Sequence, residues 1–71
     1  MVPLAFSKIG DTLRVGRISG KSETRRHLEN LGFVEGEEIT VVSVLAGNFL
    51  LNVRGSRIAI DKSMASRIFV Q

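Results

Sequence analysis

The sequence predicts a small all-β protein, a five-to-six-stranded SH3-like barrel interrupted by one short helix. Three features lead there. Short runs rich in β-branched residues are separated by glycine turns. The alternation of apolar residues slips twice, which suits strands that coil around a barrel better than a flat sheet. Only one early segment carries helical spacing. With 71 residues there is room for one domain, taken as residues 1–71.

Gly10-Asp11 is a turn signal, and Thr12-Leu13-Arg14-Val15 after it alternates like a half-buried strand. Ile18 falls on the opposite phase from Leu13 and Val15, so a bulge or bend is expected at Gly16. Ser19-Gly20-Lys21-Ser22 reads as a loop. Ser22 suits a helix N-cap and Glu23 the first turn, with Arg25 standing where a capping box would place Glu or Gln. Leu28 and Leu31 share one helix face, and Gly32 suits the left-handed position that ends a helix. The helix is therefore expected over about residues 23–31.

After a turn at Glu35-Gly36-Glu37, a long strand is expected from Glu38 to Leu45. Its phase changes between Val41 and Val42. Ala46-Gly47-Asn48 reads as a hairpin turn, followed by an alternating strand through Phe49, Leu51 and Val53. Gly55-Ser56 is read as a second tight turn, and Arg57 to Ile60 alternates again. Asp61 can cap a helical turn over 61–65, and Arg67 to Val70 is a last strand. So many short strands point to closure, because an open sheet leaves unprotected edges. The phenylalanines at 6, 33, 49 and 69 mostly fit core or staple roles.

Composition narrows the function. There is no cysteine, so neither a disulfide nor a thiolate ligand exists. The 44% hydrophobic content must hold the fold alone, for a stability of about 4–10 kcal/mol. No signal peptide is read at the N-terminus, and the longest near-continuous apolar stretch, Val41 to Leu45, is far short of the ~20 residues a membrane helix needs. A cytosolic protein is expected. The net charge of +3 suits a solvated surface. It also suits attraction to nucleic acid, anionic lipid headgroups or an acidic protein patch.

His27 is the one histidine and would have to serve as the base of any nucleophile–base pair. It stands beside Arg25 and Arg26 on a polar helix, and no enzyme is expected. A closed zinc site takes four ligands. Here His27 can be joined by Glu23, four residues earlier, or by groups of a second subunit, and metal binding would be weak. Glu35, Glu37 and Glu38 surround a turn and are read as its soluble face. Gly16 to Ser22 ends in Gly-Lys-Ser, but Gly16 is one residue too close to Gly20 for a phosphate loop. A nucleic-acid-binding barrel is the main alternative. It is disfavoured by the lack of Trp and Tyr for base stacking.

The stretch Leu28-Glu29-Asn30-Leu31-Gly32-Phe33-Val34-Glu35-Gly36-Glu37-Glu38-Ile39 has the pattern Leu-x-x-Leu-Gly-Phe-x-x-Gly-x-x-Ile. It resembles the central signature of the ferrous iron transport protein A (FeoA) family. Pro3-Leu4 with Ile9-Gly10-Asp11 resembles the family's opening, Val53 to Ile60 its glycine-turn hairpin, and Ala65 to Val70 its closing strand. The resemblance implies an SH3-like barrel beside the ferrous iron transporter of the inner membrane, which carries a cytosolic GTP-binding domain. It implies an accessory or regulatory role exerted by binding that transporter, and an association with transition metals. Membrane contact would then run only through the partner, with the chain itself a monomer or weak homodimer. A related barrel closes metal-dependent repressors, which gives a second alternative. On this reading the helix and adjoining loops present the partner face: Leu28 and Leu31 in a cleft, Arg25 and Arg26 on its rim, and Gly47 and Asn48 as a second contact.

Overall fold

The computed structural model describes residues 1–71 as one six-stranded antiparallel sheet with two helices. The strands are β1 (Val2–Pro3), β2 (Thr12–Ile18), β3 (Glu38–Leu45), β4 (Asn48–Val53), β5 (Ser56–Asp61) and β6 (Ile68–Val70). Helix α1 spans Ser22–Asn30, helix α2 spans Lys62–Ala65, and a 3-10 turn covers Leu4–Phe6. The strand order is β1-β6-β2-β3-β4-β5.

Both expected phase slips are bulges. The β2–β6 register shifts between Val15 and Arg17, and the β3–β4 register shifts between Val41 and Ser43. Each bulge adds a residue to one strand and sharpens its twist. The sheet can then wrap a core of thirteen buried residues, all apolar, including Leu4, Val15, Leu28, Phe33, Ile39, Leu51 and Ile68. No polar or charged residue is buried, so the interior holds no group that needs a partner.

Several boundaries differ from expectation. Helix α1 begins at Ser22 and ends at Asn30, and Lys21, not Ser22, is its N-cap, with no side-chain cap bond. Gly32 does close it, at φ +112°, while its N–H donates to Glu29 O at 3.0 Å. The first hairpin turn falls within the expected Ala46-Gly47-Asn48, and the second lies one residue earlier than expected. Ala46-Gly47 and Arg54-Gly55 are their central pairs, all four at positive φ, and Asn48 and Ser56 already belong to strands. Paired positive φ values match the right-handed twist of the flanking strands. β1 and the 3-10 turn were not foreseen, and Phe6 is 75% exposed, outside the core assigned to it.

Closure is also less complete than expected, because no ladder joins β1 to β5. Helix α2 packs against β5, β4 and the 3-10 turn, and the turn packs on β6. Asp61 caps α2 through a bond from Met64 N–H to its Oδ1 at 2.9 Å, as its sequence position predicts.

Candidate functional site

Helix α1 is polar on nearly all its surface. Glu23, Arg25, Arg26 and His27 are all exposed, and only Leu28 is buried within it. Leu28 is fully enclosed, and its carbonyl accepts from Phe33 N–H at 3.1 Å. A side chain with no accessible surface cannot touch a partner, so Leu28 is removed from the candidate contact residues. Its role is to fasten α1 to the sheet. Leu31 is half-buried against the core and keeps part of its surface free.

The helix and the hairpin tip do not form one face. Gly32, just beyond α1, lies against Val53 and Arg54 at the far end of β4 from Asn48. Asn48 and Val53 are the two ends of β4, five residue steps apart, about 17 Å at the usual rise. At the tip, Gly47 and Asn48 are exposed beside Leu45, which is 76% exposed. Leu45 escaped the sequence reading because it ends an apolar run whose earlier members are core. The signal available was its place next to the turn, where a strand leaves the sheet.

Titratable groups do not converge. No three His, Cys, Asp or Glu side chains come together as metal ligands would. Glu23 and His27 share a helix face at four-residue spacing, which supplies two donors where a tetrahedral ion wants four. The residues present therefore do not fit a resident metal. The one surface depression, about 410 Å³ and wide open, is lined by Thr12, Leu13, Arg14, Glu38 and Gln71. Its charged members form an exposed ion pair at 3.8 Å. A second pair, Arg54 Nε to Glu37 Oε1 at 2.8 Å, ties the β4–β5 turn to the loop before β3.

Arg17, one of the arginines that could form a nucleic-acid surface by sequence, is instead covered on one side by an aromatic ring. Its guanidinium carbon sits 4.5 Å from the ring centre of Phe69 on the outer face of the sheet. The pairing of Arg17 with Phe69 depends on the bulge at Gly16, and a regular register would oppose other residues.

Comparison with known proteins places these features. The model of the FeoA domain family matches residues 2–71. Fe(2+) transport protein A of Methanocaldococcus jannaschii is 31% identical over 71 residues, covering all of this chain and 87% of that one. A crystal structure of an iron uptake regulatory protein (FeoA) superposes with a TM-score of 0.92 at 34% identity, over 99% of this chain and 93% of that one. Stenotrophomonas maltophilia FeoA was crystallised with zinc and described as an SH3 domain protein. It gives a TM-score of 0.87 at 26% identity, over 100% of this chain and 91% of that one. The SH3-like fold is thus the fold of its relatives, and the family match runs through every element from β1 to the last residue. The chain belongs to the FeoA domain family.

Proposed function

We propose that this protein is a non-catalytic accessory protein of ferrous iron transport that binds the cytosolic GTP-binding part of the ferrous iron transporter. Family membership supports the iron-transport role. The observation that carries the binding mode is Leu45, the most exposed large apolar side chain, at 76%, beside Gly47 and Asn48 at the β3–β4 tip. An exposed apolar side chain on a rigid hairpin is a ready anchor for an interface. Arg25, Arg26 and the free part of Leu31 form the second contact, where the charges steer approach and orientation. The partner must span both, since the two patches lie at opposite ends of β4.

The interior holds no polar side chain, which fits an activity of surface contact. No step is routed through a metal. Glu23 and His27 would give at most a weak, two-donor contact to a divalent transition metal ion.

Co-purification tests the reading. The tagged protein is expressed with and without its host's ferrous iron transporter, and solubilised membranes are assayed for retention. Retention only with the transporter, lost in Leu45→Ser while the unfolding midpoint is unchanged, supports the anchor. Absence of retention with and without GTP would sink direct binding.

A further inference from the structure

The outer surface of β1, β6 and β2 carries positive charge and no negative charge of its own. These three strands contain no acidic residue. Ile68 and Val70 are buried, so Phe69 between them points outward. Pro3 pairs with Phe69 across one ladder and Arg17 pairs with Phe69 across the next. Directly opposed residues share a face, so Pro3, Phe69 and Arg17 stand in a row across three strands.

The Arg17 guanidinium stacks on the Phe69 ring and has no carboxylate partner. Arg67 also lacks one. Its Nη1 would lie 3.0 Å from a Cβ at Gly20, and its backbone carbonyl accepts from Ser19 N–H at 2.8 Å. Lys21 follows at once, exposed, as the N-cap of α1. Beside these cations lie Met1 and Val2, exposed by 64% and 54%, with the Met1 sulfur packed over Gly16.

Arg17 and Arg67 have no acidic residue within four positions along the chain, and Lys21 has only Glu23.

We propose that this face docks directly on an anionic lipid surface, with Arg17, Lys21 and Arg67 meeting headgroup phosphates and Met1 and Val2 lying among the headgroups. Charge complementarity selects this occupant. Binding single-stranded nucleic acid takes a free aromatic face for stacking, and that of Phe69 is covered by Arg17. A peptide needs a groove or a long strand edge. β1 offers two residues of edge, and the nearby depression is lined by Glu38 as well as Arg14. A lipid surface requires neither. Each cation brought to it strengthens binding about fivefold, and short apolar side chains enter its interfacial layer. The inference is independent of transporter binding, because none of Arg17, Lys21 and Arg67 belongs to either contact proposed for the transporter.

Co-sedimentation with vesicles tests it on the isolated protein, with no transporter present. Vesicles containing phosphatidylglycerol are compared with vesicles of phosphatidylcholine alone, at low salt and at about 1 M salt, where screening acts within ~3 Å. Binding is expected to phosphatidylglycerol vesicles only, with release at high salt. The double variant Arg17→Gln/Arg67→Gln is expected to bind about 30-fold more weakly. Arg57→Gln on β5 removes an equal kind of charge from elsewhere and is expected to bind as the unaltered protein does. Unfolding curves identify any variant that fails to fold, and a single Arg17→Gln variant, expected to bind about fivefold more weakly, then replaces the double one. Three results overturn the proposal: no binding to phosphatidylglycerol vesicles, equal weakening by Arg57→Gln, or binding to RNA or an acidic polypeptide without binding to vesicles.

Discussion

Replacing Leu28 by Ala separates a fastening role from a contact role. Leu28 is fully buried and lies in the thirteen-residue core. Truncating an enclosed leucine costs the transfer term plus the cavity left behind, about 3–4 kcal/mol here. A domain of this size has only about 4–10 kcal/mol in all. With a urea m-value of about 1 kcal/mol/M, the unfolding midpoint is expected to fall by about 3 M. The assay is equilibrium urea unfolding followed by far-ultraviolet circular dichroism. Leu31→Ala serves as the comparison. Leu31 is half-buried, so its loss is expected at about 1–2 kcal/mol. Both variants leave the cationic side chains in place. A midpoint shift below about 0.5 M for Leu28→Ala, or a larger shift for Leu31→Ala than for Leu28→Ala, would refute the placement of α1 on the core.

Other consequences are local. Ala46 occupies a left-handed turn position at φ 52° where a side chain is strained, so Ala46→Asn is expected to raise stability by about 0.5–1 kcal/mol in thermal unfolding. Asp61→Ala removes the acceptor for Met64 N–H and is expected to cost about 1 kcal/mol, with Asp61→Asn nearly neutral. Gly32→Ala forces a Cβ to φ +112° and to 3.1 Å from Val53 Cγ1, for a loss of about 1–2 kcal/mol by the same measurement. Gly16→Ala should be tolerated far better. Its Cβ would overlap the sulfur of the unbranched Met1 side chain, which must turn aside, and would lie 3.3 Å from Phe69 O, so a shift under about 1 kcal/mol is expected.

The strands were legible because local patterns determine them. Alternation located β3 to the residue, and the two phase slips located both bulges, since a bulge must reverse which side chains face inward. β1 was not legible. Two residues, one of them Pro3, carry no period, and only pairing with β6 makes them a strand. The second turn was displaced because Arg54 takes the left-handed conformation that is usually reserved for Gly or Asn. The N-cap was misplaced for a related reason. Ser22 is a good capping type, but the bonds that start α1 begin one residue earlier, with Arg25 N–H donating to Lys21 O at 3.0 Å. Of the candidate contact residues, Leu28 shows the limit most clearly. Spacing puts it on the face of Leu31, but how deeply that face sinks is decided by Phe33 and the strands beneath it.

The remaining argument concerns where function can reside in so small a protein. Every buried residue is apolar, and the candidate contact residues other than Leu28 all keep accessible surface. That surface divides. Leu45, Gly47 and Asn48 lie at the outer end of the β3–β4 hairpin, while Arg17 and Arg67 lie on the β6–β2 face, where the bulge at Gly16 aligns Arg17 with Phe69. The two patches share no residue and no ion pair. Substitutions at one should therefore leave the other unchanged, since sites without shared partners act additively. A protein that met its transporter through the hairpin tip and a bilayer through the β6–β2 face would gain from both at once. The second contact would then form at the high effective concentration set by the first. Combining Leu45→Ser with Arg17→Gln/Arg67→Gln would in that case lower affinity for transporter-containing membranes by the product of the two separate losses, because both contacts hold one bound state. If the faces engaged separately, at least one of the variants taken alone would lower it by no more than about twofold, since the other contact would still hold the protein.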